Sequence, residues 1–147
     1  MDIRVFGGLE GVKSNNFTFK KISENSGGNI SVVEHSPANY NVFYWARSSQ
    51  LFRSDNVMDE DPEWIALSSY LPGTGNVFDV ESHPFDENVV YIARGSSVYR
   101  SEDKGFSWTD LTGSLPSINM NFAYYENSVE GIYVGSDAVF TIVRCYG

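Results

Sequence analysis

A single cysteine, Cys145, stands in 147 residues, so no disulfide can form within the chain and the covalent staple of small secreted domains is excluded. Basic residues are scarce: 10 Lys and Arg face 19 Asp and Glu, for a net charge of −9. That balance excludes nucleic acid, whose phosphates need a basic face, and disfavours an anionic membrane surface for the same reason. No apolar run approaches the roughly 18 residues that a membrane-crossing helix needs. The opening Met1-Asp2-Ile3-Arg4 lacks the charged start and apolar core of a signal peptide. Helical periodicity is also missing, because no segment repeats apolar residues at i, i+3, i+4 and i+7 over three turns, and Gly or Pro breaks most windows. Essentially no helix is expected.

Aromatic residues, by contrast, make up 15% of the chain and 13 glycines punctuate it, as in a turn-rich all-β protein. They are also arranged in copies. Pro84 to Ser101 lies over Pro37 to Ser54 without a gap, each residue 47 positions after its counterpart. After Ser54 the spacing changes to 44, where Trp64 answers Trp108 and Leu71-Pro72 answers Leu115-Pro116, so an insertion or deletion sits in that turn. A third copy starts near Ile118, with Gly131 to Gly135 in the place of Val89 to Ala93, and Arg4 to Gly8 with Val12 to Ser14 resembles the tail of an earlier one.

Each full copy carries four short runs of aromatic and branched residues between turn formers, which read as strands. In the first they are Ile30–Val33, Val42–Ala46, Gln50–Arg53 and Trp64–Leu67; in the second, Val77–Val80, Val89–Ala93, Ser97–Arg100 and Ser107–Leu111. Ser36-Pro37-Ala38-Asn39 and His83-Pro84-Phe85-Asp86 supply the first turn of each copy, and Arg94-Gly95-Ser96 the second turn of the later one. Four strands in about 45 residues is the length of a β-propeller blade, which must stack on neighbours to bury its faces. The expected fold is therefore all-β: a β-propeller fragment of about three blades, each a four-stranded antiparallel sheet. The expected divisions are residues 1–28 (the end of one blade), 29–72, 73–116 and an incomplete 117–147. Propellers usually close with about four to eight blades, so the sequence predicts either a longer parent chain or self-association.

The last turn of the second copy holds Ser101-Glu102-Asp103-Lys104-Gly105-Phe106-Ser107-Trp108. Its Ser101-x-Asp103-x-Gly105-x-x-Trp108 spacing matches the Asp-box, or BNR, motif: Ser and Asp can bond turn amides, Gly accepts positive φ, and Trp packs over the hinge. With the blade period, the chain resembles the Asp-box β-propellers, a group that includes sortilin-type receptor ectodomains, sialidases, family 74 xyloglucanases and many secreted bacterial proteins. Other copies of the box are degenerate. Ser54-Asp55-Asn56 keeps its start, no Gly follows, and extra residues separate it from Trp64; Ser14 to Phe19 is shortened, and Ile142 stands where Ser101 would. The resemblance implies an extracellular or cell-surface location and a structural, peripheral role for the box.

Candidate sites are few. Asp59, Glu60, Asp61 and Glu63 could offer oxygens to Ca²⁺ but lack the alternating acids and glycine of a defined calcium loop, so no metal or cofactor is expected. His35 and His83 recur at strand ends before prolines, far apart around a ring, and read as packing residues. Arg47 matches Arg94 and Arg53 matches Arg100; these read as solvent-facing strand residues with stems over apolar surface, and the Arg-Ile-Pro element of sialidases is absent. No catalytic residue can be assigned. The candidate ligand-binding residues are Asp79, an acid on an inner strand, with Tyr40 and Trp45, aromatics able to stack on sugar rings. The reading is a non-catalytic binding or scaffolding module for a protein or glycan, with no nucleic acid and no membrane span. The alternative is part of a xyloglucanase-like hydrolase whose cleft needs further blades.

Overall fold

The computed structural model describes residues 2–3, 19–22, 28–115, 122–126, 131–135 and 143–146. Apart from a two-stranded pairing of β1 (Asp2–Ile3) with β2 (Phe19–Lys20), the strands form three antiparallel meanders. The first runs β3 (Val32–His35), β4 (Phe43–Arg47), β5 (Gln50–Ser54) and β6 (Ile65–Ala66) in sequence order. The second repeats it as β7 (Val77–Ser82), β8 (Val90–Arg94), β9 (Ser97–Ser101) and β10 (Thr109–Asp110). A third sheet is described with three strands, β11 (Phe122–Glu126), β12 (Gly131–Gly135) and β13 (Val143–Tyr146). The described residues contain no α-helix, only a short 3₁₀ turn at Ser68–Tyr70. All eight strand runs expected from the two full copies are present. The fourth of each is shorter than the sequence suggests, because Trp64 and Trp108 belong to the turns.

Each β8 residue is buried, and the pleat explains how one strand serves two cores. Val90 and Ile92 face the first sheet and join Val42, Tyr44, Leu51, Leu67, Val77, Val80 and Tyr99. Val89, Tyr91 and Ala93 face the other way, with Val98 and Val134 of the third sheet. A sheet covered on both faces needs an almost continuous apolar run, and Val89-Val90-Tyr91-Ile92-Ala93 is that run. Burial of a Val or Ile side chain stabilises by about 1.5–3 kcal/mol, so this packing between sheets is the main cohesive term.

The two repeats turn alike. Arg47 pairs with Gln50 and Arg94 with Ser97 across two-residue turns, and the first turn residue is left-handed in both, Ser48 at φ 47° and Gly95 at φ 58°. Glycine is required at the second: a Cβ on residue 95 would meet Thr74 O at 2.7 Å. The repeat also reaches further back than Pro37, since Gly28 and Gly75 share a positive φ and both lie against the arginine of the following hairpin.

Candidate functional site

The Ser101 turn is closed by two side chains. Ser101 Oγ accepts from the backbone N–H of Asp103 at 3.2 Å and Gly105 at 2.8 Å while its hydroxyl donates to Asp103 Oδ1 at 2.8 Å, which uses the full capacity of a hydroxyl. Asp103 Oδ1 also accepts from the amides of Phe106 and Ser107, and Oδ2 from the Ser107 hydroxyl at 2.6 Å. Desolvation works against the charge of Asp103, but the bonds from Ser107, Ser101 and Phe106 outweigh it and hold the carboxyl below its ordinary range. Trp108 Nε1 donates to Gly105 O at 3.1 Å and covers the hinge. Gly105 has φ 94°, and a Cβ there would stand 2.8 Å from Leu67 Cδ1 of the preceding repeat. These polar atoms are spent on the turn itself.

The Ser54 turn repeats this chemistry with a different partner. The Ser54 hydroxyl donates to Asn56 Oδ1 at 3.1 Å, Ser54 Oγ accepts the Asn56 amide at 3.2 Å, and Asn56 Oδ1 accepts the Glu63 amide at 2.9 Å. Asn56 therefore does the work that Asp103 does in the other turn, while Asp55 points sideways to Arg53 and Lys104. The signal was present in the sequence: Asn56 follows Ser54 by the same two positions that separate Asp103 from Ser101. Trp64 also differs from Trp108. Its Nε1 donates to Ile22 O at 2.8 Å and its ring meets the edges of Phe43 and Trp45.

Two of the recurrent arginines are not solvent-facing. Arg53 is 3% exposed and Arg94 8%. Arg94 donates from Nε to Gly75 O at 3.1 Å and from Nη1 to Pro72 O at 2.7 Å, holding the connection that leads into its own sheet. Arg53 pairs through Nη2 with Asp55 of its own turn at 2.7 Å and reaches across to the next sheet, where Nη1 donates to Lys104 O and the guanidinium lies 5.2 Å from the Phe106 ring centre. A planar guanidinium can satisfy backbone carbonyls at a seam between sheets while its stem packs apolar, which strand alternation alone does not reveal.

The named ligand candidates lie apart. Trp45 is 5% exposed and stacked on Phe52 at 4.1 Å, so its face is closed to a sugar; the first sheet uses it as packing. Tyr40 is 69% exposed on the β3–β4 turn. Asp79 is partly buried at a bulge in β7 and its Oδ1 accepts the Val80 amide at 3.0 Å. Its charge reaches Glu34 on β3, whose carboxyl is pushed up first by burial and further by Asp79, although Glu34 Oε1 accepts the Ser82 amide at 3.0 Å. His35 and His83 each hold their own turn: His35 Nε2 donates to Tyr40 O, and His83 Nδ1 accepts from Phe85 and Asp86. Among the described residues, no group of three His, Cys, Asp or Glu could hold a metal ion, and no helix is long and apolar enough to cross a membrane. Ser14 and Ile142, the first and last box positions, lie outside the described residues.

No family model and no curated protein matches the chain. Among solved structures it is similar to YCF48 from Cyanidioschyzon merolae, with a TM-score of 0.53 at 15% identity over 85% of this chain. The likeness joins the stacked four-stranded meanders already described. The fold is of β-propeller type. This chain spans 39% of the length of that structure, and at such identity the two share a fold alone.

Proposed function

We propose that the chain is a non-catalytic binding or scaffolding module of an Asp-box β-propeller protein, working outside the cell or at its surface. Blades of a longer chain or further copies of this one complete the ring. One observation carries the reading: the densest polar constellation, around Ser101 and Asp103, has its donors and acceptors engaged within the turn. What the same end of the sheets offers to solvent is a set of rigid turns bearing aromatic rings, an arrangement for recognition rather than chemistry.

A second reading, part of a glycoside hydrolase, draws on Glu34 and Asp79. They lie on the first strands of neighbouring sheets, and Glu34 is shifted toward the protonated form that a general acid needs. The two readings separate in one assay. Incubated with xyloglucan, the chain is expected to release no reducing ends above the level of the Glu34→Gln variant. Release that disappears in that variant would establish the hydrolase and overturn the binding-module reading.

A further inference from the structure

Two adjacent turns carry the most exposed large apolar side chains of the described residues, Tyr40 and Phe85, the latter 71% exposed. Neither turn is loose. His35 Nε2 donates to Tyr40 O at 2.7 Å with the two rings 5.5 Å apart, and Asn39 Oδ1 accepts the Asn41 amide at 3.0 Å. In the second turn His83 Nδ1 accepts both the Phe85 and Asp86 amides at 3.1 Å, with the His83 ring 6.3 Å from that of Phe85. Asn39 Nδ2 donates to Glu87 Oε2 at 2.7 Å and ties one turn to the other. Apolar rings fixed this way lose little freedom on binding, which favours them as contact anchors.

Charge selects the occupant. The cations nearest the two turns are already engaged: Lys104 Nζ lies 3.0 Å from Glu87 and 3.8 Å from Asp55, and Arg53 is buried beneath the Ser101 turn. Asp86, next to Phe85, is exposed, and the chain as a whole carries −9. Aromatic faces bordered by carboxylate attract a guanidinium, which stacks on the ring and pairs with the acid. We propose that the Tyr40–Phe85 rim docks an arginine-bearing segment of a partner protein. This rests on the binding-module reading and names its partner chemistry.

The test is calorimetric titration with a short amidated peptide of alternating glycine and arginine, beside its glutamate counterpart and a cello-oligosaccharide. The arginine peptide binds and the glutamate peptide does not. A Tyr40→Ser, Phe85→Ser double variant, with circular dichroism and melting unchanged, weakens binding about tenfold or more. Met58→Ser, which removes an exposed apolar side chain from the acidic loop, leaves the affinity as it was. Absence of binding overturns the proposal, as does binding that survives the double variant, which would be general attraction to an acidic chain. Oligosaccharide binding that depends on the two rings overturns the proposal and leaves the binding-module reading standing; only turnover of a glycan removes that reading.

Discussion

At Gly105 two constraints coincide, a left-handed φ of 94° and a wall at Leu67. An added methyl meets both, so Gly105→Ala is expected to destabilise by about 2 kcal/mol, read as a shifted denaturation midpoint in urea. The arginines make a paired comparison. Arg53 is enclosed and bonded to Lys104 O, so Arg53→Ala strands a carbonyl and opens the seam. Its loss is expected to cost about 2 kcal/mol; Asp55, with a 41% exposed side chain, rehydrates and keeps the figure below that for a fully buried pair. Arg100→Ala, which loses the well-exposed Glu102 and a 3.3 Å bond to Tyr91 Oη, should cost about 1 kcal/mol or less. Equal effects of the two substitutions in urea would refute the seam role of Arg53.

The turns between third and fourth strands show one device built from two residue sets. In the Ser54 turn Asn56 accepts with Oδ1 and donates from Nδ2 to Asp59 Oδ2 at 3.0 Å, a donation that an aspartate cannot make. Asn56→Asp restores the Ser-x-Asp start of the motif yet sets two carboxylates together. We expect a loss of about 1 kcal/mol at neutral pH that shrinks as the pair is protonated, measured by urea unfolding across pH. The Ser101 turn depends on pH in the ordinary acidic sense. Asp103 is held below the usual carboxylate range when folded, so its contribution is present above the unfolded value near 3.8 and is lost as pH falls through the folded one. Stability of Asp103→Asn should accordingly vary less with pH below that point than the parent's. Glu34 has the opposite sign: raised when folded, it favours the fold at low pH and loses that contribution as pH rises through its folded value.

At the scale of the molecule, stacked sheets that each present two faces call for neighbours. Light scattering is expected to find a discrete mass above that of one chain, with copies completing the ring. A monomeric mass would remove self-association and leave further blades on a longer polypeptide as the source of those neighbours.

What the sequence alone determined was the repeat: the strands, their order and the turns between them follow from alternating apolar residues and from Gly, Pro, Ser and Asp at fixed spacings, all local rules. The hydrogen bonds of the Ser101 turn each span four residues or fewer, a range that a local motif can encode. The role of Asn56 went unread, with the degenerate box assigned to Ser54, Asp55 and Trp64, because the insertion that follows hides the spacing, although its place after Ser54 is the one Asp103 has after Ser101. The packing of one sheet on the next decided the rest. Trp45 is closed by Phe52 within its own sheet, but whether Arg53 ends in water or beneath the next turn and whether Glu34 feels Asp79 depend on residues some 40 or more positions away. Only a second sheet laid across the first brings those into range, and neither pattern nor propensity encodes that separation.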